Sequence, residues 1–422
     1  MNGGPVRRVV VTGLGCVSAL GNDVVTTWRA LEEGYTGIRQ RTVYPKANSE
    51  LAATGPMASV DFDVVEALSE TFNPKTISSV DRFANFAALA TNEALADAGL
   101  IDQSSLLPEA CIIYGSSNGG LATIDDSYDR LYNLKSRVLH PLTVPRLMGS
   151  AAVSHLSILF GIKGLSYGIS SACASSAQAI CEGMHLIRSG RAKVVIVGGS
   201  DASLTYGSLR SWQSLRAVSE DTCRPFSMGR DGTVLGEGAA TLILEDEETA
   251  LKRGAVPYVE LCGAGATADA SHITQPDAKS AAAAIRAAHE DSGISLSEPI
   301  LISAHGTGTM LNDRSEANAL RDVYGAALFN SKVIATKSSH GHMLSATGAI
   351  EALIAIVALV KQKAPAIQNH IAADPECDIP LVLAPEPIAF RAALSTSFAF
   401  GGLNCVLMVR LPSQDQQRRF DA

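Results

Sequence analysis

The sequence predicts an α/β fold built from two related halves, on three observations. Short apolar runs that end in glycine-rich loops alternate with stretches of helical periodicity, the pattern of buried strands covered by helices. Four such units of the first half are echoed, in the same order, in the second. The 422 residues, 46% hydrophobic and only 18% charged, supply enough apolar surface for a large core.

Residues 8–12 read as a strand, 13–21 as a glycine-punctuated loop and 24–33 as a helix. The spacing predicts an amphipathic helix over 83–99, ending at Gly99, a residue suited to a left-handed cap. A buried strand at 110–114 runs into GSSNGG, and 121–145 reads as loop with short helix. An extended lead-in then ends in Ser170, Ser171, Ala172 and Cys173, after which small and apolar residues recur at helical spacing through Ile180, Met184 and Ile187. Strands follow at 193–198 and 239–244, with a short helix over 247–253.

The second half repeats the theme. RVVVTGLGCVSA at Arg8 is echoed by YVELCGAGATAD at Tyr258, and CIIYGSSNGG at Cys111 by LISAHGTGTM at Leu301. The strand, turn and helix around Cys173 return from Lys332, and VVIVGGSDAS at Val194 returns as LSTSFAFGGLNCVLMV at Leu394. The expected division is residues 1–253, residues 254–412 and a polar tail at 413–422. Equivalent loops of two such halves converge on one site between them.

Thirty-four basic against 42 acidic residues give a net charge of −8. No basic domain or Lys/Arg run is present, which argues against nucleic-acid binding. The eight cysteines are scattered, with no CxxC pair and no Cys/His spacing typical of metal, so neither disulfides nor structural zinc is expected. Arg7 and Arg8 precede only three valines before Thr12, too short an apolar run for a signal peptide. The longest apolar run, 352–360, is well short of the roughly 20 residues of a membrane span. A cytoplasmic protein with no membrane span is expected.

Three loops end in groups able to do chemistry: Cys173, His305 in AHGTGT and His342 in KSSHGHMLS. A thiol at the first turn of a helix meets unpaired backbone N–H groups and the positive end of the dipole, which favour thiolate. One Cys with two His suits acyl transfer to sulfur, the imidazoles acting on a second carbonyl. Zinc is the competing use of such residues, disfavoured because no further carboxylate or thiol lies at customary spacing.

SSACASS around Cys173, CRPFSMGRDGTVLGEGA from Cys223, AHGTGTMLNDRSEA from Ala304, TKSSHGHMLSATGA from Thr336 and SFAFGGLN from Ser397 together resemble the β-ketoacyl-acyl-carrier-protein synthases. These are ketosynthases of the thiolase-like superfamily, and the resemblance runs in order from about Arg7 to Arg410. The uninterrupted AVSEDTCRPFSMGRDGTVLGEGA and a histidine at 340 are closer to specialised synthases of the nodulation protein E type than to housekeeping enzymes.

The resemblance implies a thiolase-like five-layer αβαβα fold of two duplicated halves. It also implies a decarboxylative Claisen condensation of an acyl group on Cys173 with malonyl-carrier protein, in fatty-acid or specialised polyketide or polyene biosynthesis. Carried over by motif, Cys173 is the nucleophile, His305 and His342 act on the malonyl thioester, and Lys337 is the family lysine, expected to pair with Glu316. The backbone amides of Cys173 and Phe400 form the oxyanion hole, and Asp313 and Glu316 are supports. Thr307 and Thr309 contact the phosphopantetheine arm, which arrives on the carrier protein, so no resident cofactor and no metal are implied.

Departures from the family pattern are His340 and Leu403, each where Thr is usual, and Asn118, where the acyl pocket usually ends in an apolar residue or glycine. An unpaired amide at the pocket floor is costly, which predicts an unsaturated, aryl-ended or short acyl chain. Lys75, Arg137 and Arg216 stand at positions that match basic docking sites for an acidic acyl carrier protein.

The implied assembly is a homodimer, or a heterodimer with a chain-length-factor-like subunit. The alternative, that this chain is itself such a non-catalytic partner, is disfavoured because those subunits lack the nucleophile that Cys173 supplies. A degradative thiolase needs a second reactive Cys in the C-terminal half; Cys405 reads instead as core strand.

Overall fold

Ten strands form one hydrogen-bonded sheet whose two five-stranded parts share an internal order. They belong to a computed structural model that describes residues 7–45, 51–103 and 105–412; the predicted tail at 413–422 lies outside the described residues. The first part holds β1 (Val9–Val17), β2 (Cys111–Gly115), β3 (Ser166–Ile169), β4 (Val194–Asp201) and β5 (Gly238–Asp246). The second holds β6 (Val259–Ala268), β7 (Leu301–Ser303), β8 (Lys332–Ile334), β9 (Ala392–Ala399) and β10 (Leu403–Arg410).

From the centre outward the orders are β1-β5-β4-β2-β3 and β6-β10-β9-β7-β8. In both parts the inner pairings are antiparallel and the outer ones parallel. A short antiparallel pairing of Val10 and Val11 with Glu260 and Val259 joins them. All four sequence echoes fall on equivalent strands.

The main helices are α1 (Arg82–Asp97), α2 (Ser175–Arg188), α3 (Ala278–Ser292), α4 (Met310–Tyr324) and α5 (Thr347–Lys361). α1 covers β1, β4 and β5, whereas α3 covers β6 and β10 and packs on α4. α2 and α5 touch each other and strands of both sheet parts, so they form the middle of five layers. That position explains α5: by length and composition Leu344–Lys361 could cross a membrane, but 89% of it is buried between the sheets.

Two elements differ from expectation. The first strand continues through Gly13 to Val17, because its glycines serve close packing instead of a turn. A Cβ on Gly13 would lie 2.2 Å from the Ala94 carbonyl oxygen, and one on Gly15 would lie 2.0 Å from that of Ala90, both on α1. Residues 121–145 are more helical than expected, with helices at Leu121–Tyr132 and Thr143–Leu147.

Candidate active site

Cys173 lies in a tight turn, Ala172–Ala174, between β3 and α2. Ala172 has φ 49°, a left-handed conformation costly for a non-glycine residue. Ser175 holds the turn: its Oγ accepts the Ser171 N–H at 2.9 Å and donates to the Ala172 carbonyl at 2.7 Å. Cys173 is 6% exposed. Burial pushes it up to about 11, against the pull of the Lys337 charge and the backbone amides of Phe400 and Cys173. The thiolate expected from a helix start is therefore corrected: desolvation outweighs the helix end, and the resting thiol is neutral.

The two histidines are fixed in one tautomer each by what faces their inner nitrogens. Nδ1 of His342 accepts the Leu344 N–H at 3.2 Å, so in the neutral ring the proton sits on Nε2, 3.1 Å from Cys173 Sγ. Nδ1 of His305 faces the Lys337 ammonium, a donor only, at 3.2 Å, so its proton is also on Nε2. The rings stand edge to face, 5.6 Å between centroids. Burial, then the Lys337 cation, holds both well below the usual imidazole range. The result is two neutral N–H donors beside one sulfur.

Lys337 also donates to the His305 carbonyl and pairs with Glu351 Oε1 at 2.7 Å. The expected Lys337–Glu316 pairing is thus overturned. Glu316 instead accepts the His305 and Gly306 amides, each at 2.8 Å, and the Thr396 hydroxyl at 2.7 Å, cradling the histidine loop. Asp313 accepts the Phe226 amide at 2.7 Å and the Gly308 amide at 3.2 Å, and burial raises it to about 6. Both carboxylates support the site through backbone and lie off its reacting atoms.

A cavity of about 280 Å³ reaches Cys173, His305 and His342, lined on its way by Thr307, Thr309 and Phe400. The two threonine hydroxyls are 2.9 Å apart. Phe400 stacks on Trp212, 5.7 Å between centroids. Arg216 lines the mouth; Lys75 and Arg137 are exposed and stand outside the lining.

Asn118 is also outside this cavity. Its side chain is exposed and donates to Ser203 Oγ at 3.2 Å, so the unpaired buried amide that motivated an unusual acyl chain is absent from the single chain. His340 is committed to its own loop. Its Nδ1 donates to the Gly341 carbonyl at 2.8 Å, its Nε2 accepts the Thr336 hydroxyl at 2.9 Å, and burial lowers it to about 3.

Sequence reasoning missed Glu351, Thr347 and Trp212. Glu351 had a signal: it is the one charge in the apolar stretch TGAIEALIAIVALV, and a charge buried there demands a partner. Thr347 Oγ1, 3.0 Å from His342 Nδ1, and Trp212 had none beyond composition.

Comparisons with known proteins identify the family of the chain. Residues 6–250 match the beta-ketoacyl synthase N-terminal domain and residues 258–370 the corresponding C-terminal domain. The chain is 36% identical over 407 residues to nodulation protein E of Rhizobium sp. (strain N33), covering 96% of this chain and 99% of that protein. It is 34% identical over 412 residues to the 3-oxoacyl-[acyl-carrier-protein] synthase 2 of Staphylococcus aureus (strain COL), covering 96% and 98%. Among solved structures, the ishigamide ketosynthase/chain length factor superposes with a TM-score of 0.88 at 30% identity, covering 96% of this chain and 99% of that one.

Proposed function

The chain belongs to the β-ketoacyl synthase family and is a condensing acyltransferase of that family, and from this premise we propose how its own residues divide the reaction. An acyl thioester on a carrier protein is attacked by Cys173 sulfur; the new C–S bond forms, the carrier's C–S bond breaks, and the thiol proton ends on the departing phosphopantetheine thiol. Malonyl-carrier protein then binds in the same cavity and its carboxylate leaves as CO2. The Nε2–H groups of His305 and His342 hold the enolate oxygen as neutral donors that need no reorganisation. The enolate carbon attacks the acyl-cysteine carbonyl, whose developing oxyanion the amides of Cys173 and Phe400 receive. Cys173 leaves as thiolate and takes up one proton from solvent, the net proton the condensation consumes, and the product departs as a 3-ketoacyl thioester of the carrier.

The observation that carries this reading is the 3.1 Å approach of His342 Nε2 to Cys173 Sγ, with both imidazoles held as Nε2–H tautomers. The same retained nucleophile disfavours a non-catalytic, chain-length-factor-like role. In this scheme Thr307 and Thr309, which line the cavity, hydrogen-bond the phosphopantetheine arm, and no resident cofactor or metal enters it. Arg216 at the mouth is the best placed of the basic docking candidates for an acidic carrier protein.

A homodimer is supported by the outer edge of β3, which pairs with no further strand among the described residues, and by Ile158 (71% exposed) on the helix Ala151–Phe160 that packs on β3. The Ser116 amide donates to the Ile169 carbonyl, so the loop bearing Asn118 leaves beside that edge and a partner chain would cover it. A chain-length-factor-like partner fits the same edge. A cytoplasmic location is supported by eight cysteines that are all free and buried.

Mass spectrometry after mixing the protein with a panel of acyl-carrier proteins tests the assignment. Acyl mass on Cys173, absent from a Cys173→Ala variant, is expected and names the primer. No adduct from any panel member would sink it.

A further inference from the structure

Asp201, the last residue of β4, is a buried acid that the condensation as written leaves unused. Its Oδ2 accepts the Ser345 hydroxyl at 2.9 Å and the Ser117 hydroxyl at 3.4 Å, groups 144 and 84 residues away in sequence. Burial raises the carboxyl to about 6, against hydrogen bonds from Ser203, Ser345 and Ser117. At neutral pH it is therefore mostly ionised, and an ionised carboxylate only accepts. Ser345 Oγ is also 2.9 Å from the Ser200 carbonyl, so the serine is pinned to the end of β4.

Ser345 is the middle residue of a tight turn, Leu344–Ala346, that follows His342. Leu344 has φ 47°, a conformation costly for a residue with a side chain, which persists only where its surroundings hold it. The turn packs on β4 and on the turn of Cys173. The fit to the strand is close: a Cβ on Gly199 would lie 2.6 Å from the Ser345 carbonyl oxygen. The Leu344 amide in turn donates to His342 Nδ1 at 3.2 Å, and His342 Nε2 lies 3.1 Å from Cys173 Sγ. A continuous series of contacts thus runs from Asp201 through Ser345 and the Leu344 amide to the imidazole beside the nucleophile.

We propose that Asp201 is a positioning residue of the condensation: through Ser345 it holds the strained turn whose Leu344 amide keeps His342 an Nε2–H donor to the enolate. This rests on the condensation reading above. The competing role for Asp201 is its charge, which adds to burial in raising the Cys173 thiol. Asp201→Asn separates the two. It removes the charge but keeps a hydrogen bond to Ser345 in either amide orientation, because a hydroxyl both donates and accepts.

The test compares the full chain with Asp201→Asn, Asp201→Ala, Ser345→Ala and the double alanine variant. Malonyl-carrier decarboxylation and acyl transfer to Cys173 are assayed separately. In Ser345→Ala the decarboxylation kcat is expected to fall about tenfold, the order of one hydrogen bond to a charged group, with KM and acyl transfer nearly unchanged. Asp201→Ala falls less, since Ser345 keeps the Ser200 carbonyl, and Asp201→Asn stays near the parent. The double variant is no slower than Ser345→Ala, as for two members of one contact series. Imidazole 15N spectra, with His342 assigned by its loss in His342→Ala, should show the Nε2–H tautomer in the parent and Asp201→Asn and a tautomer mixture in Ser345→Ala. The proposal is overturned if Asp201→Asn is as slow as Asp201→Ala, if both half-reactions fall together, or if the His342 tautomer is indifferent to Ser345. The spectra need no substrate, so they judge the proposal even where no carrier loads Cys173, an outcome that sinks the condensation reading alone.

Discussion

Lys337 Nζ and Glu351 Oε1 stand 2.7 Å apart with both side chains wholly buried, and this pair ties the central helix α5 to the loop that carries His305. Breaking such a pair leaves one buried charge without a partner, at a cost of about 3–5 kcal/mol. Lys337→Met is therefore expected to lose stability of that order in urea unfolding. Lys337→Met with Glu351→Leu recovers most of the stability, since an apolar pair satisfies the site. Malonyl decarboxylation stays lost in both, because His305 Nδ1 has no obligatory donor and its ring is free to change tautomer. An active double variant would show that Lys337 is not needed there.

Cys173 should show the pH dependence of a buried thiol. Burial raises it to about 11, and only the thiolate alkylates, so below that value its labelling by iodoacetamide falls about tenfold per pH unit. The measured rate should climb from pH 7 to pH 10 without a plateau. The Lys337 charge opposes the upward shift, so Lys337→Met moves the whole profile to higher pH. A plateau below pH 8 would mean that the helix end prevails over burial.

Glu316→Gln should damage the reaction without removing any group that touches substrate. The carboxylate accepts two amides and a hydroxyl, and an amide side chain places N–H donors against at least one of them. A penalty of about 1–3 kcal/mol for a buried unsatisfied donor, expressed as displacement of His305, predicts a fall in decarboxylation rate with acyl transfer to Cys173 nearly intact. Separate assays of the two half-reactions read this split; equal losses in both would refute it.

Gly402→Ala probes the turn that delivers the Phe400 amide. Gly402 has φ 73°, and an added Cβ would sit 2.5 Å from Cβ of Asp269, the residue that holds Asn404 at 2.7 Å. Left-handed backbone costs a non-glycine residue about 1–2 kcal/mol before any clash, so the turn shifts. Acyl transfer to Cys173, followed by mass spectrometry over time, should slow while thermal unfolding remains cooperative. Unchanged acylation would take the Phe400 amide out of the mechanism.

The motifs made much of the site legible in advance because its chemistry is carried by loops of fixed composition. Cys173, His305 and His342 all lie at the strand-end loops named from sequence, and the four echoes fall on equivalent strands. Glycines were less transparent. Gly13 and Gly15 read as a turn, yet they are in a strand pressed against α1, since a missing Cβ serves close packing as well as it serves a bend.

By itself, the sequence determined the α/β class, the duplicated order of strands and the three residues that meet in the candidate site, because periodicity and motif spacing are local. Only the tertiary structure decided who faces whom. It gave Lys337 to Glu351 and left Glu316 to the backbone, fixed both imidazoles as Nε2–H donors, and turned the Cys173 expectation from thiolate to thiol. Each of these depends on burial and on partners from distant parts of the chain. Such pairings, and the water they exclude, exist only once the two halves close over the central helices.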